Sequence, residues 1–367
     1  MGQQAFQLNR QAAMSTSALW HQVRERGLAT LAVVGMTKNT GKTVALNHLL
    51  ACAAEDGVAI GVTSIGRDGE NRDQVFFFPK PPVRVWSGSI IATARDTLLR
   101  AKVRWKLLAA TGLDSPMGEI VIVRALDHGE MEIAGASRSS DQQKIIAQLR
   151  QCGCALIILD GALGRSQHAS PAIADGIILA TGAAIGGGVQ DVIRKTRERL
   201  ATLTIPQAGP EILARCQAVF ESGGVGIWDC SGGPLFLADI ATLSAGSTLL
   251  AFADREPGTI AVSGAVGKAL WLTVDALLAQ HPGLTLVVAD GTKLFIEHAD
   301  VQRFRQRGGK LLACRRIHIA GITLNPFSPH GRHLVAQDLL GAARLAFPEY
   351  EVGDVIFERV LTETGVC

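Results

Sequence analysis

The run LATLAVVG (28–35) is apolar almost without a break, and a glycine-rich loop ending in Gly41-Lys42-Thr43 follows it directly. The segment after that, TVALNHLLACAAEDG (43–57), has helical spacing and a glycine stop. A strand that is apolar on both faces is buried on both faces, which is the condition of a parallel strand covered by helices. Strand, tight loop and helix in immediate succession therefore commit the chain to an α/β architecture with its loop at the carboxyl edge of a sheet.

The rest of the chain keeps this alternation. VAIGVTSIG (58–66), CALIILDGALGR (154–165) and DGIILATGAAIGGG (175–188) read as further strands. The segments 139–153, opened by a Ser cap, and 189–203 read as helices. EIVIVRAL (119–126) and EMEIAGA (130–136) read as two β segments around the turn Asp127-His128-Gly129. RDTLLRAKVRWKLLAA (95–110) reads as an amphipathic helix with a basic face. TIPQAGPE (204–211) is the loosest stretch. It divides the expectation into 1–205, a nucleotide-binding part, and 206–367, an α/β part packed against it or continuous with its sheet. In the second part TIAVSGAV (259–266), LTLVVADG (284–291) and KLLACRRIHIAGITLN (310–325) supply strands, and 267–280, 296–307 and 331–346 supply helices. The expected fold is a mainly parallel sheet with helices on both faces.

Composition narrows the function. A net charge of +3 with scattered basic residues excludes a nucleic-acid surface as the main business of the chain. No apolar run reaches the ~18 residues of a membrane span, and MGQQAFQLNRQAAM lacks the apolar core of a signal peptide. Seven cysteines spread over the chain then read as reduced thiols of a cytoplasmic protein. Cys152 and Cys154 lack a second ligand pair at metal-binding spacing and read as structural or incidental thiols.

The chemistry concentrates at the loop GMTKNTGKTV (35–44). Glycine lets backbone approach phosphate oxygens, and the N–H groups opening the helix offer donors and positive potential. Lys42 is placed for the β- and γ-phosphates of a nucleotide and Thr43 for its Mg²⁺. The loop backbone at Gly35, Thr37, Lys38, Asn39, Thr40, Gly41 and Val44 completes the candidate binding set. Asp160, at the end of ALIILD, is a metal ligand or a turn residue before Gly161. Asp68, in TSIGRDGE, orients a water, binds the metal, or is a solvated loop charge. Arg165 is a phosphate clamp or a loop arginine. Asn325, before Pro326, is a base reader or a strand-ending turn residue. Asp290 and Lys293 form a second candidate pair for a substrate or partner surface, and the aromatics of FFFPKPPVRVW (76–86) are core or a partner contact.

The common phosphate-loop spacing places a glycine six residues before the lysine. Here that residue is Met36, and the glycine stands one step earlier at Gly35. This longer loop resembles that of dethiobiotin synthetase, in the branch that includes partitioning ATPases and nitrogenase iron proteins. Thr37 stands where some of those relatives carry a lysine that crosses a dimer, and Lys38 is displaced by one. Lys38 then reads as a phosphate contact within its own chain or a solvated side chain. In order along the chain, GMTKNTGKTVALN, TSIGRDGE, SGSIIATA, LDGALGRSQHASPAIADGIILATGAA, VVADGTKLF and ITLNPFSP are similar to the reactivase subunit that accompanies lysine 5,6-aminomutase and ornithine aminomutase. The resemblance spans roughly residues 30–330.

That resemblance implies an ATPase using ATP and Mg²⁺. Its partner would be an aminomutase dependent on adenosylcobalamin and pyridoxal phosphate, together with a second reactivase subunit. Its work would be to open the mutase and release damaged cobalamin. It also implies adenine as the base at Asn325. Two other classes stand beside it. One is an enzyme of the dethiobiotin-synthetase kind that activates a carboxyl or carbamate. Asp160-Gly161-Ala162 matches that relative's Glu-Gly-Ala in style, with Asp in place of Glu, but its substrate lysine after the second strand has no match in TSIGRDGE. The other is a nucleotide-binding protein with a vestigial ATPase.

Overall fold

The computed structural model describes residues 17–64, 82–162, 170, 173–329 and 331–356. The chain enters on a short helix, α1 (Ala18–Glu25), capped by the Ser17 hydroxyl accepting from Trp20 N–H. β1 (Thr30–Gly35), buried at every residue, leads through the loop into α2 (Lys42–Glu55) and then β2 (Ile60–Ser64). Next come β3 (Val83–Val85), β4 (Ile90–Ala94), a helical turn at Arg95–Leu98, β5 (Trp105–Ser115), β6 (Gly118–Ala125) and β7 (Gly129–Met131). α3 (Ser139–Gln151), β8 (Leu156–Ala162), β9 (Gly176–Gly182) and α4 (Val189–Leu203) follow.

An inserted stretch then builds α5 (Pro210–Ser222), β10 (Val225–Asp229), β11 (Pro234–Ala238), α6 (Ala245–Ala251), β12 (Pro257–Val262), α7 (Lys268–Gln280), β13 (Thr285–Val288), α8 (His298–Gln306) and β14 (Lys310–Ala313). The chain closes with β15 (Ile319–Asn325), α9 (Ala336–Ala346) and β16 (Val352–Gly353).

The fold is α/β with mixed sheets. The larger sheet runs β16-β15-β9-β1-β8-β2-β4-β6-β5. Its strands are parallel from β16 to β4, and β6 and β5 join antiparallel. The inserted sheet runs β11-β10-β12-β13-β14, parallel from β12 to β14 and antiparallel at β10 and β11. Leu46, Leu49 and Leu50 of α2 and Leu19 and Trp20 of α1 belong to one buried cluster with Leu31 and Val33 of β1. Each such side chain contributes about 1.5–3 kcal/mol by leaving water. Among the described residues no helix is long and apolar enough to cross a membrane.

Three expectations are corrected. The expected division at 205/206 is replaced by a unit of Met1–Thr196 with Ile319–Cys367 and a unit of Arg197–His318. The reason is that β15 and β16 pair into the first sheet, so the C-terminal block is not contiguous in space. The helix expected over 95–110 stops after one turn, and β5 begins at Trp105. Its neighbours Lys106 and Leu107 pair with Arg124 and Val123 of β6, and the turn at Ser115–Gly118 closes the hairpin. Ladder pairing overrides the weak helical preference of this segment. Finally, the helix at 139 is not opened by a Ser cap: Arg138 holds the N-cap position with no side-chain cap bond, and Ser139 is the first helical residue.

Of the segment 76–86, residues 76–81 lie outside the described residues. Val83 and Val85 are core, with Trp86 packed against it.

Candidate functional site

The loop is closed by its own residues. β1 delivers it from between β8 and β9, and Met36 N–H donates to Ala180 O at 2.9 Å. The Thr40 hydroxyl donates to Thr37 O at 2.9 Å, tying the turn across itself. A Cβ on Gly35 would stand 2.6 Å from that hydroxyl oxygen, which is why the strand ends in glycine. Asn39 (φ 63°) and Gly41 (φ 86°) are both left-handed, a conformation open to glycine and tolerated by asparagine. Thr37, Lys38 and Asn39 form the exposed tip, whereas Thr40 and Thr43 are buried.

α2 begins at Lys42 with no side-chain cap and no acidic residue in its first turn. The first N–H groups of a helix have no intrahelical acceptor. In α2 they follow directly on the left-handed residues Asn39 and Gly41, a succession of backbone donors that suits an anion such as phosphate.

Lys42 and Asp160 meet at this mouth, Nζ to Oδ1 at 3.0 Å, with side chains 21% and 3% exposed. Asp160 lies beside Val33 of β1 on one side and Ser64 of β2 on the other. The buried carboxylate is thus held at the carboxyl edge of the sheet, and its compensating charge comes from the loop lysine. An oxygen ligand there, with the Thr43 hydroxyl on the first helical turn, suits a hard cation shared with phosphate oxygens. Groups of three or more His, Cys, Asp or Glu that could hold a metal by themselves are absent among the described residues. A metal here would therefore share Thr43, Asp160 and its ligand's oxygens.

Beside the loop is an apolar cavity of about 240 Å³, walled by Gly41, Val44, Pro326, Phe327, Val355 and Ile356 among others. Sites for whole drug-sized ligands run to about 300–1,000 Å³, so this cavity takes one flat part of a ligand. Phe327 is half exposed and stacks on His333 with ring centroids 4.5 Å apart and planes at 20°. His333 Nδ1 accepts from Ser328 N–H at 3.1 Å, fixing that ring.

Asn325 joins cavity to loop. Its Nδ2 donates to Asn39 O at 2.8 Å, and its Oδ1 accepts from Phe327 N–H at 3.1 Å. One amide hydrogen and one lone pair remain beyond these two bonds.

The residues Gly35, Thr37, Lys38, Asn39, Thr40, Gly41, Lys42, Thr43, Val44, Asp160 and Asn325 therefore lie in the first unit around one loop. Asp68 and Arg165 lie outside the described residues. The last described residue before the segment bearing Asp68 is Ser64, which pairs with Asp160. Asp290 does not present a surface: it is 1% exposed, and its carboxylate accepts from Thr292 N–H and the Thr292 hydroxyl. Lys293 contributes its backbone carbonyl to Val266 N–H. Sequence reasoning missed the cavity wall at Phe327, Ala336 and 354–356. The only available signal was the turn-rich NPFSP after an apolar strand.

Of the two cysteines, Cys154 behaves as a packing feature. Cys154 lies against Gly61, where a Cβ would be 2.9 Å from its Sγ, and burial pushes its thiol from 9.0 up to about 12. Because the folded value is the higher one, the proton stabilises the fold below about pH 9, and that contribution is lost as pH rises toward 12. With iodoacetamide at pH 8, exposed Cys230 is expected to label at least about 100-fold faster than Cys154, read by peptide mass spectrometry. Equal labelling would mean that Cys154 is accessible as a thiolate.

Comparisons with protein-family models, with curated proteins and with solved structures find no match for this chain.

Proposed function

We propose that this chain is a Mg²⁺-dependent ATPase with a phosphate loop at Gly35–Thr43, acting on a partner protein. The observation that carries the reading is the Lys42–Asp160 pair at 3.0 Å, which joins the uncapped N-terminus of the helix after β1 to the parallel strand β8 beside β1. Without ligand, the two charges compensate each other. With Mg-ATP, Lys42 would turn to the β- and γ-phosphates, and Asp160 would turn with Thr43 to the metal. The cavity at Val44, Asn325 and Phe327 would receive the base. Catalysis would then be electrostatic: fixed positive charge meets the charge that develops on the transferred phosphoryl group.

The partner is inferred from the ordered sequence resemblance to aminomutase reactivases. The chain would bind an adenosylcobalamin- and pyridoxal-phosphate-dependent aminomutase, with a second reactivase subunit, and use ATP to release damaged cobalamin. Neither cofactor need bind this chain.

The test is ATP hydrolysis by the purified protein, alone and with such a mutase inactivated by turnover. Support would be a rise in hydrolysis with the mutase, and mutase activity restored by fresh adenosylcobalamin. Hydrolysis stimulated only by small carboxylates or amines would replace this reading with carboxyl activation of the dethiobiotin-synthetase kind. Tight nucleotide binding without turnover under every condition would leave a binding protein with a vestigial ATPase.

A further inference from the structure

Helix α3 touches both the candidate nucleotide site and the outer edge of the larger sheet, and at each end a glutamine makes the contact. Gln142 is fully buried, and its Nε2 donates to Ser64 O at 2.5 Å and Ala136 O at 3.1 Å. Ser64 is the residue beside Asp160, and its hydroxyl is 3.5 Å from Asp160 O. The approach is close: a Cβ on Gly135 would stand 1.7 Å from Ser64 O.

Six residues further along, about 9 Å by helical rise, the Gln148 Nε2 makes a long 3.5 Å contact with Thr111 O. Thr111 lies in β5, within the stretch between Ala110 and Asp114 where the register with β6 breaks. β5 ends the strand order and exposes Trp105 and Leu107. α3 also packs on β4, β5 and β8.

Both glutamines share one defect. Their Oε1 atoms are buried and have no hydrogen-bond partner among the described residues. A buried acceptor without a donor leaves its desolvation uncompensated, and such groups mark elements held away from their best polar arrangement. Two on one helix, each at a contact with a different part of the sheet, describe an element with a second position within reach. Helix shifts of about 1–2 Å are a common form of such change.

Resting on the nucleotide reading above, we propose that α3 couples the Lys42–Asp160 site to the edge strand β5, so that phosphate occupancy at one end orders the bulged strand at the other. When Asp160 exchanges Lys42 for metal, the end of β8 and Ser64 beside it adjust. Gln142 carries that adjustment into α3, and Gln148 delivers it to Thr111. Between Ala110 and Asp114 the backbone register with β6 is broken, and side chains hold the bulge instead: Gly112 N–H donates to Glu119 Oε1 and the Thr111 hydroxyl to Ile120 O, contacts that can re-form after a small shift.

The experiment is hydrogen exchange by mass spectrometry on the full chain with Mg²⁺. It compares no nucleotide, ADP and a non-hydrolysable ATP analogue, with nucleotide affinity measured separately by titration. The triphosphate analogue is expected to slow exchange across 105–115 by about threefold or more, while 225–238 in the inserted sheet stays unchanged. Gln148→Met keeps side-chain volume and removes both polar atoms away from the site. It is expected to bind the analogue within about twofold of the parent and to lose the β5 response. Gln142→Met should lose the response as well. Analogue binding with unchanged β5 exchange, or a full response in Gln148→Met, would overturn the coupling and leave the nucleotide reading intact. Absence of nucleotide binding in the parent would end both.

Discussion

Lys42→Ala is expected to cut ATP turnover by about 10²–10³-fold, the usual cost of removing one donor aimed at developing charge. It is also expected to destabilise the protein before any nucleotide is added. Asp160 is only 3% exposed on its side chain, and Lys42 compensates it at 3.0 Å. Breaking a buried pair from one side costs about 3–5 kcal/mol, and the 21% exposure of Lys42 places the effect near the lower end. The two consequences separate in a double variant. Lys42→Met with Asp160→Asn removes both charges, so stability should return to within about 1 kcal/mol of the parent. Turnover should stay lost, because the proposed phosphate ligand and the proposed metal ligand are gone. Chemical denaturation and a phosphate-release assay on the parent, Lys42→Ala and the double variant measure both quantities. Turnover retained in Lys42→Ala would sink the proposed ATPase.

Gly182→Ala is the second change with a large expected effect. Gly182 ends β9 opposite Asn325 of β15, with φ at 152°. A Cβ there would lie 2.0 Å from Asn325 O and 2.8 Å from Asn325 N. Backbone cannot rotate aside as a flexible side chain does, so the two strand ends must part. The loss is expected to exceed about 3 kcal/mol, combining steric overlap with strain at a disfavoured φ. The site should suffer with the fold, since Asn325 holds Asn39 O and the turn at Phe327. Exchange at the amides of β9 and β15 reports the first unit alone and should accelerate. Gly188→Ala is the control: nothing stands within 4 Å of its Cβ position, and its effect should stay within about 0.5 kcal/mol. Comparable losses in the two variants would mean that the close approach at Gly182 is not what limits this position.

How legible these features were depended on periodicity. β1, β8 and β9 are buried on both faces, so their sequences are continuous apolar runs and stand out. α4 matched its expected 189–203 span because a charged face alternates with buried Val192, Ile193, Leu200 and Leu203. β5 was hidden because one side faces solvent and its register slips twice. Its apolar residues therefore do not alternate cleanly and pass for a helical stripe. β14 and β15 read as one stretch, yet the five residues Cys314–His318 carry the chain from one sheet to the other. Nothing local distinguishes a strand that pairs with its predecessor from one that pairs with β9, some 140 residues earlier by the sequence separation that loop closure must span. The loop was legible because its chemistry is local. The cavity was not, because a strand end, a turn and the residues 354–356 that follow β16 build it together.

The placement of β15 after the inserted unit sets an order of birth. A chain leaving the ribosome makes the phosphate-type loop and Asp160 first, then the whole of Arg197–His318, and only afterwards Asn325 and the cavity wall. Domains tend to fold as they emerge. The insert, whose strands are all its own, can finish while the larger sheet still lacks the neighbour of β9. During synthesis, then, the loop exists for more than a hundred residues of elongation without the amide that braces Asn39. A ribosome pausing within the insert would expose β9 as a temporary sheet edge, and completing the polypeptide is what seals it.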